Sequence, residues 1–489
     1  VLADELGVLP SRATRDLYER IKVAMAMPDH NLPSPATPFM EREEEVGVLQ
    51  RRLADPDCRL LTITGLGGIG KTRLALEAAK QIIQTRPRAF MHGVRFVSLA
   101  RLTKVNQLAA VVATALGCSL QGRADPEEQI VNYLREKEML LLLDNYEHLL
   151  PDTSLLVTLL QEAPAVKLLV TSRERLRLQQ EWRFEIEGLA YPEPVTVART
   201  DTDSPGLEYA AAHLFMACAR RVKRNVSTTI SPQDVYTICR LVEGMPLALE
   251  LAAAWTDTLS VSAIANAVGR SLDFLATDWR DLPERHQSMR AVFDTTWQRL
   301  SPQEQKVVAR LSIFRGGFSA KAAEVVARAT IHDLARLTNR SLLQHGQKRD
   351  RYEIHELLRQ YGAERLTPVE SAQVRMRHLT YFADWAEQFH PRIYTGNKRD
   401  VLDWIHQDFS NLGVALDWSL SEPAQTSDGL RLVVALEEYW QTLGHLPEAL
   451  RWITQLLSMS GVDTDPRVLA GALRVAGMLE ASCGGLLIN

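Results

Sequence analysis

One stretch constrains this chain more than any other: Leu61-Thr-Ile-Thr-Gly65-Leu66-Gly67-Gly68-Ile69-Gly70-Lys71-Thr72. It satisfies G-x-x-x-x-G-K-[ST] in full, with an apolar, β-branched run before it and a helical pattern after it. Glycines let successive backbone N–H groups turn toward one anion, where a Cβ would obstruct. The helix that follows presents its positive end to the same anion. Lys71 adds a mobile point charge for β- and γ-phosphates, and Thr72 offers a hydroxyl to Mg²⁺. The stretch predicts a phosphate-binding loop between a strand and a helix. A glycine-rich turn that binds nothing is the plain alternative.

Such a loop belongs at the edge of a parallel sheet, and the pattern from Phe39 to Leu189 supplies one. Short apolar runs at Arg59–Thr64, Val94–Leu99, Met139–Leu143, Lys167–Thr171 and Arg183–Ile186 predict strands. Amphipathic stretches at Thr72–Gln84, Val105–Leu116, Pro126–Glu136 and Asp152–Glu162 predict the helices between them. Alternation of this kind requires crossovers and a sheet covered on both faces. The third strand ends in Asp144-Asn145, with Glu147 and His148 just beyond. A carboxylate at the carboxyl edge of the sheet can hold a magnesium shell, so Asp144 joins Thr72 as a metal-site residue. Glu147 is a candidate for polarising a water, or a solvated Glu at a helix start. The fourth strand ends in Thr171-Ser172-Arg173, and the Arg173 guanidinium suits transferred phosphoryl charge. Lys71, Asp144, Arg173 and Glu147 form the catalytic set. Gly65, Gly67, Gly68, Ile69, Gly70, Lys71, Thr72 and Arg73 form the phosphate-binding set.

Composition narrows the class. The 489 residues allow about three domains. Apolar residues at 46% and charged residues at 24% place the chain among globular proteins. The formal net charge of −4 gives no global field toward nucleic acid or anionic membrane. The longest apolar runs fall far short of the roughly 20 residues of a membrane helix. Five cysteines, none in C-x-x-C spacing, read as free thiols in a reducing cytoplasm. Val1-Leu2-Ala3 carries no signal peptide and no initiator Met, so the chain reads as a fragment of a longer product.

Outside the sheet region, residues 1–27 predict a helix over Ser11–Met27, and the four prolines of 28–38 predict an extended linker. Residues 39–190 are the phosphate-binding domain and 206–299 a helical block. Residues 300–366 predict short helices and a two-strand wing at Ser341–Gln344 and Arg351–Ile354. Residues 370–489 are helical, with Gly444 and Gly484 hinting at hairpin repeats. Gly244-Met-Pro246 reads as a turn between two helices. Ile354-His355-Glu356 places a lone histidine where a strand meets a helix, usually a capping or packing position. Within 300–365, 12 Lys and Arg stand against 7 Asp and Glu. That bias admits a groove-binding winged helix, but an internal lever is the preferred reading.

In this order and at these separations, the motifs resemble the STAND class of signal-transducing P-loop ATPases. More narrowly, they resemble bacterial NB-ARC-type regulators linked to helical repeats. The resemblance implies an α/β P-loop NTPase core followed by a helical subdomain, a winged-helix domain and TPR-like repeats. It implies ATP or ADP with Mg²⁺ as cofactors. It places Pro246 on the adenine or ribose, and His355 on the β-phosphate of ADP, locking a closed state. Arg42 matches the Arg of a Gly-Arg-Glu motif near the adenine, with Glu41 in place of the Gly. Residues from Leu6 to Arg20 resemble the tail of a bacterial transcriptional-activator domain, which implies DNA contact only through a domain upstream.

The function expected is a nucleotide-gated transcriptional regulator with slow ATP hydrolysis. Its C-terminal repeats would receive an inducer or protein partner, and its active form would self-assemble. Alternatives are a STAND ATPase of a defence or death-like system and an ordinary P-loop enzyme. No membrane partner is expected.

Overall fold

The computed structural model describes residues 11, 29–33, 39–100, 102, 107–118, 125–150, 152–192, 208–222, 231–277, 286–346, 350–395, 398–443, 446–460 and 465–486. They fall into two compact units, Val1–Val292 and Phe293–Asn489. Apart from Ser11, the helix expected over Ser11–Met27 lies outside the described residues.

The first unit is built on five parallel strands: β1 (Leu60–Thr64), β2 (Val94–Ser98), β3 (Met139–Asp144), β4 (Val166–Ser172) and β5 (Glu181–Glu185). Their order is β2-β3-β4-β1-β5. Every residue of β1 and β3 is buried; β3 is apolar from Met139 to Leu143, and β1 carries two buried threonines, Thr62 and Thr64, among its aliphatic residues. Helices α1 (Glu43–Ala54) and α2 (Lys71–Thr85) pack on each other, and α2 also packs on β1 and β4. Helices α3 (Leu108–Leu116), α4 (Pro126–Leu134) and α5 (Ser154–Glu162) share a core with the sheet, in which Val112, Leu134, Leu141, Leu143 and Leu156 meet.

The proline-rich segment does more than span a distance. Asn31 accepts from the Phe96 backbone N–H at 2.6 Å and donates to the Phe96 carbonyl at 2.9 Å. Val94 donates its N–H to the Asp29 carbonyl at 3.0 Å, and Asp29 pairs with Arg95. Residues 29–33 therefore line the outer edge of β2, where they satisfy backbone groups an edge strand would leave open.

A helical block completes this unit: α6 (Ala210–Val222), α7 (Pro232–Leu241), α8 (Pro246–Ala254) and α9 (Val261–Arg270). Helix α6 packs on α8, and α7 on α9. The boundary between the units falls inside α10 (Met289–Trp297).

The second unit opens with α11 (Pro302–Leu311), β6 (Phe318–Ser319) and α12 (Ala320–Ala322), which runs into a π-turn (Ala323–Ala327). Then come α13 (Ile331–Asn339), β7 (Gln344–His345), β8 (Arg351–Glu353) and α14 (Glu356–Ala363). Capping boxes at Ser301/Glu304 and Thr330/Asp333 start α11 and α13. The strands form an antiparallel sheet in the order β6-β8-β7. The two strands expected at Ser341–Gln344 and Arg351–Ile354 are thus two and three residues long, with a third strand, β6, that the sequence did not announce. The rest is helical: α15 (Pro368–Thr395), α16 (Lys398–Gln407), α17 (Phe409–Ser421), α18 (Thr426–Ala435), α19 (Glu437–Leu443), α20 (Leu446–Met459) and α21 (Pro466–Leu486). Helix α18 packs against α15, α17, α20 and α21. Gly444 lies outside the described residues, and Gly484 sits inside α21 rather than after it.

Candidate functional site

The register of the sheet brings the site together. Leu143 pairs with Val170, so one step further Asp144 lies beside Thr171 at the carboxyl edge. The loop leaves β1 at the same edge. Gly68 and Gly70 take φ of +82° and +101°, and Gly70 caps α2 in the left-handed conformation.

Lys71 folds back over the loop and donates from Nζ to the carbonyls of Gly65 and Leu66, both at 2.9 Å. Thr72 donates its hydroxyl to Asp144 Oδ1 at 2.6 Å, and Thr171 donates to the same oxygen at 2.7 Å. The Asn145 N–H in turn donates to the Thr171 hydroxyl at 2.9 Å. Arg173 places Nε 3.1 Å from Glu147 Oε1, and its Nη1 donates to the Val292 carbonyl at 3.2 Å. Thr171 was part of a motif in the sequence but had no role there; here it joins Asp144 to the backbone of Asn145. Val292 carried no sequence signal, because a valine in a helix looks like any other core residue.

Burial sets the electrostatics. It pulls the Lys71 ammonium down to about 8, against the pull of Glu147 and Asp144, while Arg173 pushes the same way as burial. Burial raises the Asp144 carboxyl, and the hydroxyls of Thr171 and Thr72 partly offset this. Two cations and two carboxylates therefore share one water-poor site.

The adenine-side candidates fall in the same unit. Arg42 is buried and donates from Nη2 to the carbonyls of Glu187 at 2.9 Å and Ile69 at 3.4 Å. It ties the loop to the chain leaving β5. Glu41, standing where the family motif has glycine, takes φ of +32°, the conformation a glycine would adopt freely. Pro246 starts α8, with its Cγ 3.8 Å from where a Cβ on Gly70 would lie. Gly244 makes this possible: a Cβ there would meet the Leu189 carbonyl at 2.0 Å. Arg73 has Glu250, Glu77 and Arg221 as its charged neighbours. His355 belongs to the second unit. It caps α14, with Nδ1 accepting from the Leu357 N–H at 3.2 Å, and burial pulls it down to about 4.

The donor set suits a nucleotide and a hard cation. A Cβ on Gly67 would lie 2.5 Å from Val292 Cγ1 and 3.2 Å from Arg173 Cζ, so any side chain there would have to displace Val292. Glu147 Oε2 and Arg42 Nη1 are buried with no hydrogen-bond partner among the described residues. Such atoms ordinarily find one. A hydroxyl and a carboxylate oxygen, from Thr72 and Asp144, are the ligand types that Mg²⁺ takes.

Residues 42–177, which hold the loop, Asp144, Glu147 and Arg173, match the family model described as the NB-ARC domain. They form an NB-ARC domain. Membership implies nucleotide binding. The chain is also similar to a Mycobacterium tuberculosis protein named as a candidate HTH-type transcriptional regulator, at 30% identity over 410 residues. That alignment covers 82% of this chain and 44% of the relative. The regulatory protein AfsR of Streptomyces griseus is 26% identical, over 99% of this chain and 52% of its own length. The chain thus spans about half the length of these relatives. Among solved structures, a Pyrococcus horikoshii STAND protein with a tetratricopeptide-repeat sensor aligns at 14% identity and a TM-score of 0.29. That alignment covers 92% of this chain and 68% of the other. No helix among the described residues is long and apolar enough to cross a membrane.

Proposed function

We propose that the chain is a nucleotide-gated switch, with the NB-ARC domain as its nucleotide-binding part. The observation that carries this reading is the convergence of three separated motifs. Thr72 from the loop and Thr171 from β4 both donate to Asp144 at the end of β3. On this reading the loop amides and Lys71 hold the phosphates, and Thr72 and Asp144 hold Mg²⁺. Arg173 answers a terminal phosphate, and Arg42 and Pro246 border the base. Mg²⁺, when bound, neutralises phosphate charge. Glu147 positions Arg173 and has a second oxygen available for a water.

The second unit, on the same reading, holds a winged-helix domain (300–366) and TPR-like repeats. Its small sheet β6-β8-β7 and the helices around it support the first. The stacked helices α15–α21 support the second. His355 bonds the β-phosphate of ADP and favours a closed state, while the repeats receive an inducer or a protein partner. ATP favours an open, self-assembling state, and slow hydrolysis resets it. The names of the M. tuberculosis and S. griseus relatives attach regulation to proteins about twice this length, and we extend a transcriptional role to this chain as part of the proposal.

A switch of this kind must bind its two ligands with different affinity in its two states. Moving it from 1:99 to 99:1 takes about 5.5 kcal/mol of differential binding. Sedimentation of the chain with Mg²⁺ and either ADP or a non-hydrolysable ATP analogue tests it. The expected result is a larger species with the analogue than with ADP. Identical profiles, with both nucleotides bound, would contradict the switch while leaving nucleotide binding in place.

A further inference from the structure

Arg173 is only 8% exposed, and its hydrogen bond to the Val292 carbonyl reaches across 119 residues of sequence. Val292 is 1% exposed. Its Cγ1 lies where a Cβ on Gly67 would collide with it, so the same residue that holds Arg173 also covers this wall of the loop. Val292 lies on α10, and the next residue of that helix, Phe293, is the first of the second unit.

A neutral carbonyl is a modest acceptor for a guanidinium. A phosphate oxygen forms a charge-assisted bond that is shorter and roughly twice as strong. Buried donors must keep a partner, so Arg173 leaves Val292 only for a better acceptor. Glu147, bonded at Nε, keeps the guanidinium in place while the Nη side changes partners. A terminal phosphate supplies such an acceptor, and a diphosphate, one phosphoryl shorter, does not.

We propose that Val292 is a positioning residue that sets the preference between nucleoside tri- and diphosphate. Its carbonyl holds Arg173 and its side chain covers Gly67, so a terminal phosphate must draw Arg173 off α10 to bind. The diphosphate leaves this latch closed. The triphosphate opens it at the point where α10 continues into the second unit. This inference rests on the nucleotide reading above and adds the element that reads the terminal phosphate.

The test compares the full chain with Val292→Ala and Val292→Ile, measuring affinity for ADP and for a non-hydrolysable ATP analogue in Mg²⁺. Val292→Ala shortens the cover over Gly67 and keeps the carbonyl. It should raise the analogue-to-ADP affinity ratio by roughly five-fold or more, and Val292→Ile should lower it. A residue that served packing alone would change both affinities together, or shift the melting temperature and neither affinity. Hydrogen exchange of the wild-type chain is a second readout that needs no variant. Amides of residues 289–297 should exchange faster with the analogue than with ADP. Equal exchange with the two ligands, or a ratio within about two-fold of wild type in both variants, overturns the latch. A wild-type chain that binds neither nucleotide overturns the nucleotide reading, and the latch with it.

Discussion

Thr72 donates its hydroxyl to Asp144 Oδ1 at 2.6 Å, joining the first turn of α2 to the end of β3 across 72 residues of sequence. The same oxygen accepts from Thr171 at 2.7 Å, so one carboxylate ties α2 to the ends of β3 and β4. Both hydroxyls donate to Asp144; Thr171 also accepts from the Asn145 N–H, so Thr72 is the hydroxyl whose lone pairs suit a cation.

Asp144→Asn separates charge from packing. The amide oxygen still accepts from both hydroxyls, but the negative charge is gone. The gain in nucleotide affinity that Mg²⁺ brings should fall by roughly ten-fold or more, consistent with about 1.5–3 kcal/mol for a hydrogen bond or contact involving a charge. Titrations with Mg²⁺ and with a chelator measure that gain directly. An undiminished gain would make Asp144 a purely structural acceptor.

Lys71 predicts a pH dependence with a definite sign. Burial pulls it down to about 8, so the free site loses its ammonium as pH rises past that value. A bound phosphate favours the charged form, so binding above pH 8 takes up a proton. Nucleotide affinity should fall as pH rises from about 8 toward 10, by at most about ten-fold per pH unit. Calorimetry in two buffers of different ionisation enthalpy would show the proton uptake. Affinity that is flat across this range would mean that the Lys71 charge does not matter to binding.

His355→Asn tests two roles at once. Asn is a good N-cap, so α14 keeps an acceptor for the Leu357 N–H. The imidazole titrates near pH 6.5 when unfolded and is pulled down to about 4 when buried. The unfolded chain therefore binds the extra proton first, and stability is lost as pH falls from about 6.5 to 4, by at most about 3 kcal/mol. Burial pulls His378 down in the same direction, so the variant should flatten the acid limb without abolishing it. If His355 also bonds ADP, the variant weakens ADP about ten-fold more than ATP. A flatter acid limb with an unchanged ADP-to-ATP ratio would assign His355 to the cap alone.

Strand β3 was legible because burial on both faces makes Met139–Leu143 an unbroken apolar run. Edge strand β5 was harder. Its Glu181, Trp182 and Arg183 are half-buried or exposed, so no continuous apolar run marks its start, and the strand expected from Arg183 began two residues late. In the proline-rich segment, prolines argue against regular structure, yet Asn31 pairs with the β2 edge through its side-chain amide. The loop residues and Asp144 stood out because their chemistry demands particular side chains. Val292 did not, because its part in the site is played by a backbone carbonyl and a methyl group, which any aliphatic residue could supply.

The most direct test of nucleotide binding at this loop is Lys71→Ala in the full chain. The substitution removes Nζ from the carbonyls of Gly65 and Leu66 and takes the main side-chain cation from the cradle. Titration of fluorescent ADP and ATP analogues with Mg²⁺ into both proteins reads the effect. The predicted result is a loss of affinity of roughly ten- to a hundred-fold for both ligands, from about 1.5–3 kcal/mol of charged hydrogen bonding. Equal affinities in the wild-type chain and the variant would contradict phosphate binding by this loop.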